Sequence, residues 1–186
     1  MIIKSIGHGT KSLEELISML KEANVEALID VRSIPRSRHN PQFNKETITE
    51  ALAKEGILYV HLPEAGGLRH PKKDSPNKGW QNESFRGFAD YMATENFSTA
   101  LDQIIELGKE KNAALMCAET LPWRCHRSLI ADALMLRGVE VFHILSKGKE
   151  KKQCADSMVS DKKWNSDLSC SRRNVSFPIG DKHWSV

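Results

Sequence analysis

Short apolar runs alternate with amphipathic segments through the first 145 residues, and this alternation constrains the fold more than any other feature of the chain. Ala27–Val31 and Ala113–Cys117 are almost wholly apolar, as expected of parallel strands covered on both faces. Ser12 and Glu15 have the spacing of a helix capping box. The predicted strands are 2–6, 27–31, 57–61, 113–117 and 139–144, and the predicted helices are 12–23, 45–55, 83–94, 97–111 and 124–137. The pattern predicts an α/β fold with an open, mainly parallel five-stranded sheet and helices on both faces, a Rossmann-like three-layer arrangement.

Length and composition indicate one domain with an appendage. A chain of 186 residues with 40% hydrophobic content is large enough to bury a full core. We predict an α/β domain over residues 1–145 and a polar C-terminal extension of low order over 146–186. The net charge of +3 does not by itself indicate a nucleic-acid-binding protein.

The four cysteines indicate reduced thiols rather than a disulfide framework, because the chain does not depend on cross-links for its stability. They are Cys117, Cys125, Cys154 and Cys170. No apolar run approaches the roughly 20 residues that cross a bilayer, and the first residues do not have the pattern of a signal peptide. We therefore expect a cytoplasmic protein without a membrane partner. No heptad pattern indicates an oligomeric state.

Polar and reactive side chains follow several predicted strands at the point where each strand ends. In open parallel sheets, ligands bind at the carboxyl ends of the strands, so these side chains define the candidate site. The candidate catalytic residues are His8, Asp30, Cys117, Glu119 and His126. The candidate anion-binding residues are Arg32, Arg36, Arg38, Arg124 and Arg127. Bidentate guanidinium groups and a helix N-terminus both suit a phosphate, a sulfate or a carboxylate.

Each of these residues also has a structural interpretation. Cys117 is either a thiol activated by a helix N-terminus and by arginines or a small buried hydrophobe, and Cys125 is more readily the latter. Glu119 can pair with a neighbouring arginine and shape its loop. Asp30 is costly to bury unpaired, and Arg32 is its simplest partner. His8, between two glycines, is equally a turn residue or a ligand contact.

A metal site is a weaker prediction than an anion site. Cys117, Glu119, Cys125 and His126 supply ligand types for a transition metal within ten residues. Their Cys-x7-Cys-His spacing differs from the paired C-x2-C motifs of zinc fingers and ribbons. We therefore predict no cofactor and keep these four residues as the ligands that a metal would use.

Six motifs recur together in the order of a known family. They are Ser5–Thr10, Ile29–Arg38, Pro41–Asn44, His61–Gly67, Tyr91-Met92, and Cys117-x-Glu119 followed by Cys125-His126-Arg127. Over about residues 1–145 the chain resembles the bacterial and archaeal family catalogued as domain of unknown function 488, although Gly9 stands where we expect a serine. The resemblance implies an α/β fold and brings no established activity with it.

Two other groups of enzymes are similar in part. Asp30-Val-Arg32 and a strand–Cys–loop–helix segment resemble rhodanese-like sulfurtransferases and cysteine phosphatases. The interval from Cys117 to Arg124 is one residue longer than the C-x5-R loop of the phosphatases. Pro122 and Trp123 also interrupt the small-residue loop that would surround an oxyanion. The likeness is therefore one of fold, which does not carry function with it.

Three functions follow from these residues. The first is an enzyme or binding domain for a phosphate-bearing small molecule, a nucleotide or a nucleic acid at the carboxyl edge of the sheet. The second is a non-catalytic module that binds nucleic acid or protein through the loops at 32–43 and 63–82. The third is rhodanese-like thiol chemistry at Cys117. The sequence favours the first function and does not identify a reaction.

Overall fold

The computed structural model describes residues 1–154. These residues form an α/β fold with six strands and five α-helices. The strands are β1 (Ile2–Gly7), β2 (Ala27–Asp30), β3 (Leu58–His61), β4 (Ala113–Cys117), β5 (Glu140–Ser146) and β6 (Lys149–Lys152). The helices are α1 (Leu13–Glu22), α2 (Lys45–Lys54), α3 (Glu83–Met92), α4 (Glu95–Glu110) and α5 (Arg127–Leu136). Among the described helices, none combines the length and the apolarity needed to span a membrane.

The six strands form one open sheet in the order β3-β2-β4-β1-β5-β6. All neighbouring strands are parallel except β5 and β6, which are antiparallel. The predicted α/β class and mainly parallel sheet are confirmed, with one strand more than expected. That strand is charged throughout (Lys149–Lys152) and pairs with β5 at the edge of the sheet, where lysines are common because they oppose pairing with further strands.

The sheet continues beyond the domain boundary that we predicted at residue 145. Strand β5 runs to Ser146, and β6 ends at Lys152. The segment 147–152 therefore belongs to the sheet rather than to a polar extension. The remainder of the predicted extension, from residue 155 onward, lies outside the described residues.

Helices cover both faces of the sheet, as predicted. On one face, α3, α4 and α5 bury Phe88, Leu101 and Leu129 against the sheet. On the other face, α1 and α2 bury Leu16 and Leu52. Successive side chains of a strand point to opposite faces, so each apolar strand contributes to both layers of the core.

Local signals set the ends of the first helices. The Ser12 side chain caps α1 by accepting a hydrogen bond from the Glu15 N–H at 3.1 Å, as the capping pattern predicts. Gly56, after α2, has a φ of +70°, a conformation that glycine adopts without a Cβ penalty. Helix α5 begins at Arg127 rather than at Arg124, because Pro122–Arg124 forms a separate 3-10 turn and Cys125 is extended.

The carboxyl edge of the sheet contains a topological switch point between β1 and β4. Strands β1 and β4 are neighbours, but the helix that follows β1 lies on one face and the helix that follows β4 lies on the other. The two helices therefore lie on opposite faces, although the first residues after the two strands stay paired. Such a switch point is where ligands bind in doubly wound folds. His8 and the loop 118–126 stand at this point.

Candidate functional site

Parallel pairing brings three strand ends to the same level. Gly7 of β1 is in register with Cys117 of β4, and Asp30 of β2 is in register with Met116. The loops beyond the strands continue this pairing, because the His8 N–H donates to the Cys117 carbonyl at 3.0 Å. The candidate residues that follow these strands are therefore neighbours in space, as the sequence predicts.

The centre of the site is a cluster of two thiols and one imidazole, Cys117, Cys125 and His126. The His126 Nδ1 atom lies 3.7 Å from Cys125 Sγ and 4.0 Å from Cys117 Sγ. All three atoms lie within 4.8 Å of one another. The two cysteines are 8% and 4% exposed, and His126 is partly buried. We refer to these residues as the thiol–imidazole cluster.

A backbone carbonyl determines which nitrogen of His126 faces the sulfurs. The Nε2 atom lies 3.2 Å from the Val31 carbonyl oxygen. A carbonyl oxygen only accepts hydrogen bonds, so Nε2 must carry the proton and donate it. In the neutral ring, Nδ1 then presents its lone pair to the two sulfur atoms. The ring is thus oriented as a base or as a metal ligand.

The extended conformation of Cys125 directs this residue back toward β4. Its φ of −130° and ψ of 144° follow the 3-10 turn at Pro122–Arg124. A helix continuing from Arg124, as predicted, would instead place Cys125 within its first turn. The break between the turn and α5 is therefore what allows a residue eight positions after Cys117 to join it in one cluster.

Arg127 holds the loop around the cluster in place. Its Nη1 donates to Ser5 Oγ at 3.0 Å, and its Nη2 donates to the Glu119 carbonyl. Its Nε donates to Cys125 Sγ at 3.4 Å. The side chain is 1% exposed, so these bonds connect strand β1, the loop and the cluster in the interior of the protein.

The Arg127 guanidinium forms no ion pair with a carboxylate of residues 1–154. A buried charge without a partner is costly, and Cys125 Sγ is the atom beside it that can become anionic. The hydrogen bond from the Cys117 thiol and the charge of Arg127 hold the pKa of Cys125 well below its ordinary value. The pKa of Cys117 is raised, because its thiol donates to Cys125 and is buried.

His8 lies beside the cluster as a neutral, buried histidine. Its Nδ1 lies 2.9 Å from the Gly9 carbonyl, to which it donates, and its ring stacks on Phe43 with the centroids 4.2 Å apart. Its Nε2 is left to accept from Arg32 Nη1 at 3.4 Å. Burial lowers the pKa of His8 to about 4. The hydrogen bond to Gly9 fits the interpretation of His8 as a turn residue. The position of its ring beside Arg32 and the cluster is compatible with the interpretation as a ligand contact.

Asp30 and Arg32 form a buried ion pair at the end of β2, which is the pairing expected from the cost of burying Asp30. The Arg32 Nε donates to Asp30 Oδ1 at 2.9 Å, and the Tyr59 hydroxyl donates to Oδ2 at 2.6 Å. Burial and the neighbouring carboxylate raise the pKa of Tyr59. Arg32 also donates to the Phe43 carbonyl at 2.8 Å. Its guanidinium thus has partners within the protein at Nε, Nη1 and Nη2.

The remaining predicted residues are on the surface. Arg36, Arg38 and Arg124 are exposed on the loops that follow β2 and β4. Glu119 is also exposed, and its Oε1 accepts from the Leu121 N–H at 3.3 Å. The structure therefore brings together His8, Asp30, Arg32, Cys117, Cys125, His126 and Arg127 in the interior. It places Glu119 and three of the five predicted anion-binding arginines at the rim.

Gly67 is a site residue whose role the sequence did not indicate. A Cβ added to this residue would overlap Nδ1 of His126 and lie 2.5 Å from its Cγ. The loop that contains Gly67 therefore packs directly on the imidazole, which only a glycine permits. Phe88 contacts the other side, with its ring centroid 5.0 Å from that of His126. The Gly66-Gly67 pair was the available signal, because paired glycines indicate a close backbone approach as well as a turn.

Fold and site together define an open parallel-sheet α/β protein with a buried thiol–imidazole cluster at the carboxyl edge of its sheet. A model of the family described as domain of unknown function DUF488 matches residues 12–134. The chain belongs to this family, as the motifs indicated. No curated protein and no solved structure matches the chain.

Proposed function

We propose that this protein binds an anionic, phosphate-bearing ligand at the carboxyl edge of the sheet, above the thiol–imidazole cluster. The observation that carries the proposal is the buried Arg127 guanidinium, which forms no ion pair with a carboxylate of the described chain. A charge in a low-dielectric interior acts over several ångströms. The strand ends are therefore a favourable place for negative charge. The proposal includes a cytoplasmic location, in which the cluster thiols stay reduced.

The ligand contacts in this proposal come from Arg36, Arg38 and Arg124. Arg32 and Arg127, which the sequence also indicated, bond to groups within the protein. In this proposal, the charges of these two arginines attract the ligand through the electrostatic field, and their side chains do not contact it. These three arginines are exposed on the loops that follow β2 and β4, where a phosphate can approach them from solvent.

The loop that carries Arg36 and Arg38 is held by hydrogen bonds on both sides of them. The Ser37 N–H donates to Asn44 Oδ1 at 2.8 Å, and the Asn40 N–H donates to Ser37 Oγ at 3.1 Å. The Lys45 N–H donates to the Pro35 carbonyl at 3.0 Å. Restraint of the backbone before binding reduces the entropy that a ligand must offset, which favours a binding role for this loop.

A charge-matched pair of variants tests the proposal. Arg36→Ala/Arg38→Ala removes two positive charges at the rim. Lys54→Ala/Lys109→Ala removes two at the C-terminal ends of α2 and α4, near the opposite edge of the sheet. The probes are inorganic phosphate, adenosine monophosphate and a labelled single-stranded oligonucleotide, measured by calorimetry for the first two and by fluorescence anisotropy for the third.

We expect at least one probe to bind the wild type and the lysine variant, and to bind the arginine variant more weakly. For the oligonucleotide, the slope of log K against log salt should decrease by about 2, one for each lost phosphate contact. Oligonucleotide binding without binding of the small phosphates would favour the non-catalytic nucleic-acid module. Equal affinity of both variants, or no binding of any probe, would contradict the proposal.

Thiol chemistry is the second candidate function, and the structure changes its centre. The sequence assigned it to Cys117, whereas the hydrogen bond from Arg127 Nε reaches Cys125. In the metal-free protein, Cys125 should react with iodoacetamide at neutral pH faster than a free cysteine. Cys117→Ser, which alters a hydrogen bond to Cys125, should retain this reaction at a changed rate, and Cys125→Ser should lose it. Alkylation of Cys125 at or below the rate of a free cysteine would exclude an activated thiol.

A further inference from the structure

We infer that Cys117, Cys125 and His126 form a binding site for a transition-metal ion with an affinity for thiolate and imidazole, Zn²⁺ being the representative ion. The inference does not depend on the proposed anionic ligand. It rests on the geometry of the three donor atoms, on the groups that orient them, and on the charge around them.

The two sulfur–nitrogen distances in the cluster are close to the edges of a tetrahedral site. With Zn–S bonds of about 2.3 Å and Zn–N bonds of about 2.0–2.1 Å, a sulfur and a nitrogen ligand lie about 3.6 Å apart. The observed separations from His126 Nδ1 are 3.7 Å to Cys125 Sγ and 4.0 Å to Cys117 Sγ. These two sulfur–nitrogen distances therefore need to change by only a few tenths of an ångström, and all three donor atoms already lie within 4.8 Å of one another.

The outer contacts are those that orient metal ligands. A histidine that binds a metal through one nitrogen usually donates its other N–H to a carbonyl or a carboxylate, and His126 Nε2 donates to the Val31 carbonyl at 3.2 Å. Arg127 Nε donates to Cys125 Sγ at 3.4 Å, which favours the thiolate required for coordination. Gly67 and Phe88 limit movement of the imidazole from both sides.

Three protein ligands leave one position of a tetrahedral ion open, which is the arrangement of catalytic rather than structural zinc sites. Glu119, the fourth ligand considered from the sequence, is exposed, and the compact donor cluster does not include it. Two thiolates neutralise Zn²⁺, so Arg127 leaves the centre with one positive charge. An anion such as hydroxide is therefore the favoured fourth ligand.

Metal titration of the full-length, reduced and chelator-stripped protein tests this site. Zn²⁺ is added in competition with a chromophoric chelator, and Co²⁺ is used in parallel because thiolate coordination produces a charge-transfer absorption band. The ligand variants are Cys117→Ser, Cys125→Ser and His126→Asn. The matched control is Cys154→Ser, which removes a thiol that is not part of the cluster.

We expect one equivalent of Zn²⁺ in the wild type and in Cys154→Ser. Each ligand variant should bind more weakly by more than the roughly 10–100-fold that loss of an outer contact costs. Circular dichroism confirms that the variants are folded. As a measurement that needs no substitution, Zn²⁺ should protect Cys125 of the wild type from alkylation and leave the Cys154 rate unchanged.

Two results would overturn the inference: no tight equivalent in the reduced wild type, or undiminished binding in all three ligand variants. The proposed anionic ligand is assayed separately in the metal-free protein. Failure of the metal site and failure of the anion site are therefore distinguishable. The thiol chemistry considered above likewise belongs to the metal-free protein, because a bound metal would occupy both sulfurs.

Discussion

Replacement of Asp30 by asparagine should strongly destabilise the protein, although the two side chains have nearly the same size. Asp30 is fully buried and Arg32 is 6% exposed. In Asp30→Asn, the Arg32 guanidinium remains in the interior without its counter-ion. Breaking a buried ion pair in this way costs about 3–5 kcal/mol. For a chain of this length, this corresponds to a decrease in melting temperature of about 6–20 °C.

Two further variants separate the loss of charge from the loss of packing. Tyr59→Phe removes one hydrogen bond to the carboxylate, 2.6 Å long, and should cost about 1.5–3 kcal/mol. Asp30→Leu/Arg32→Met removes both charges and retains apolar volume. Such replacements are often neutral, so the double variant should recover most of the stability lost in Asp30→Asn.

The free energies of unfolding are measured by urea denaturation followed by circular dichroism at neutral pH. The expected order of stability is wild type and Asp30→Leu/Arg32→Met above Tyr59→Phe, with Asp30→Asn lowest. A loss of less than about 1 kcal/mol in Asp30→Asn would refute the reasoning, since the charge of Arg32 would then be satisfied without its partner. A double variant as unstable as Asp30→Asn would attribute the effect to packing.

Three other perturbations test the site. Folding holds His8 neutral with a pKa of about 4, so the unfolded chain binds a proton first on acidification. His8 should contribute up to about 3 kcal/mol to the fall in the free energy of unfolding between about pH 6.5 and pH 4. His143, whose pKa burial also lowers to about 4, should add to that fall, so urea titrations should show a smaller but not abolished fall for His8→Gln. Gly67→Ala should weaken Zn²⁺ binding by displacing His126, whereas Gly79→Ala, with open space around its Cβ, should not; equal affinities in the chelator assay would contradict this. Zn²⁺ at 100 times its Kd should raise the free energy of unfolding by about 2.7 kcal/mol, and an unchanged melting temperature would count against the site.

Much of the fold follows from local sequence signals. The apolar runs at Ala27–Asp30 and Ala113–Cys117 predict buried parallel strands, and the Ser12 cap and Gly56 mark helix ends that the structure confirms. Strand β6 was missed because its four residues, Lys149–Lys152, are all charged. Its place in the sheet comes from backbone pairing with β5, and a sequence pattern does not encode backbone pairing.

The structure brings several of the candidate residues together at the strand ends, as their positions in the sequence predict, but the contacts that each residue makes depend on long-range packing. The sequence predicts the pairing of Asp30 with Arg32, but it does not distinguish the exposed Arg36 from a buried anion-binding arginine. The relative importance of Cys117 and Cys125 depends on a break before α5 that the helical pattern did not show. That break determines which cysteine accepts the hydrogen bond from Arg127 Nε, and the hydrophobic periodicity of the sequence does not predict it.

Arg127 connects the stability of the fold to the chemistry of the site. The same guanidinium bonds to Ser5 of β1, to the carbonyl of Glu119 and to Cys125 Sγ. Two of these partners are neutral, so the charge is balanced only if Cys125 is a thiolate or if an anion lies nearby. An activated Cys125 thiolate and an anionic ligand are two ways of meeting this electrostatic requirement, and in a metal-loaded cluster an anionic fourth ligand would meet it. The buried arginine is therefore the feature that any assigned activity of this protein must explain.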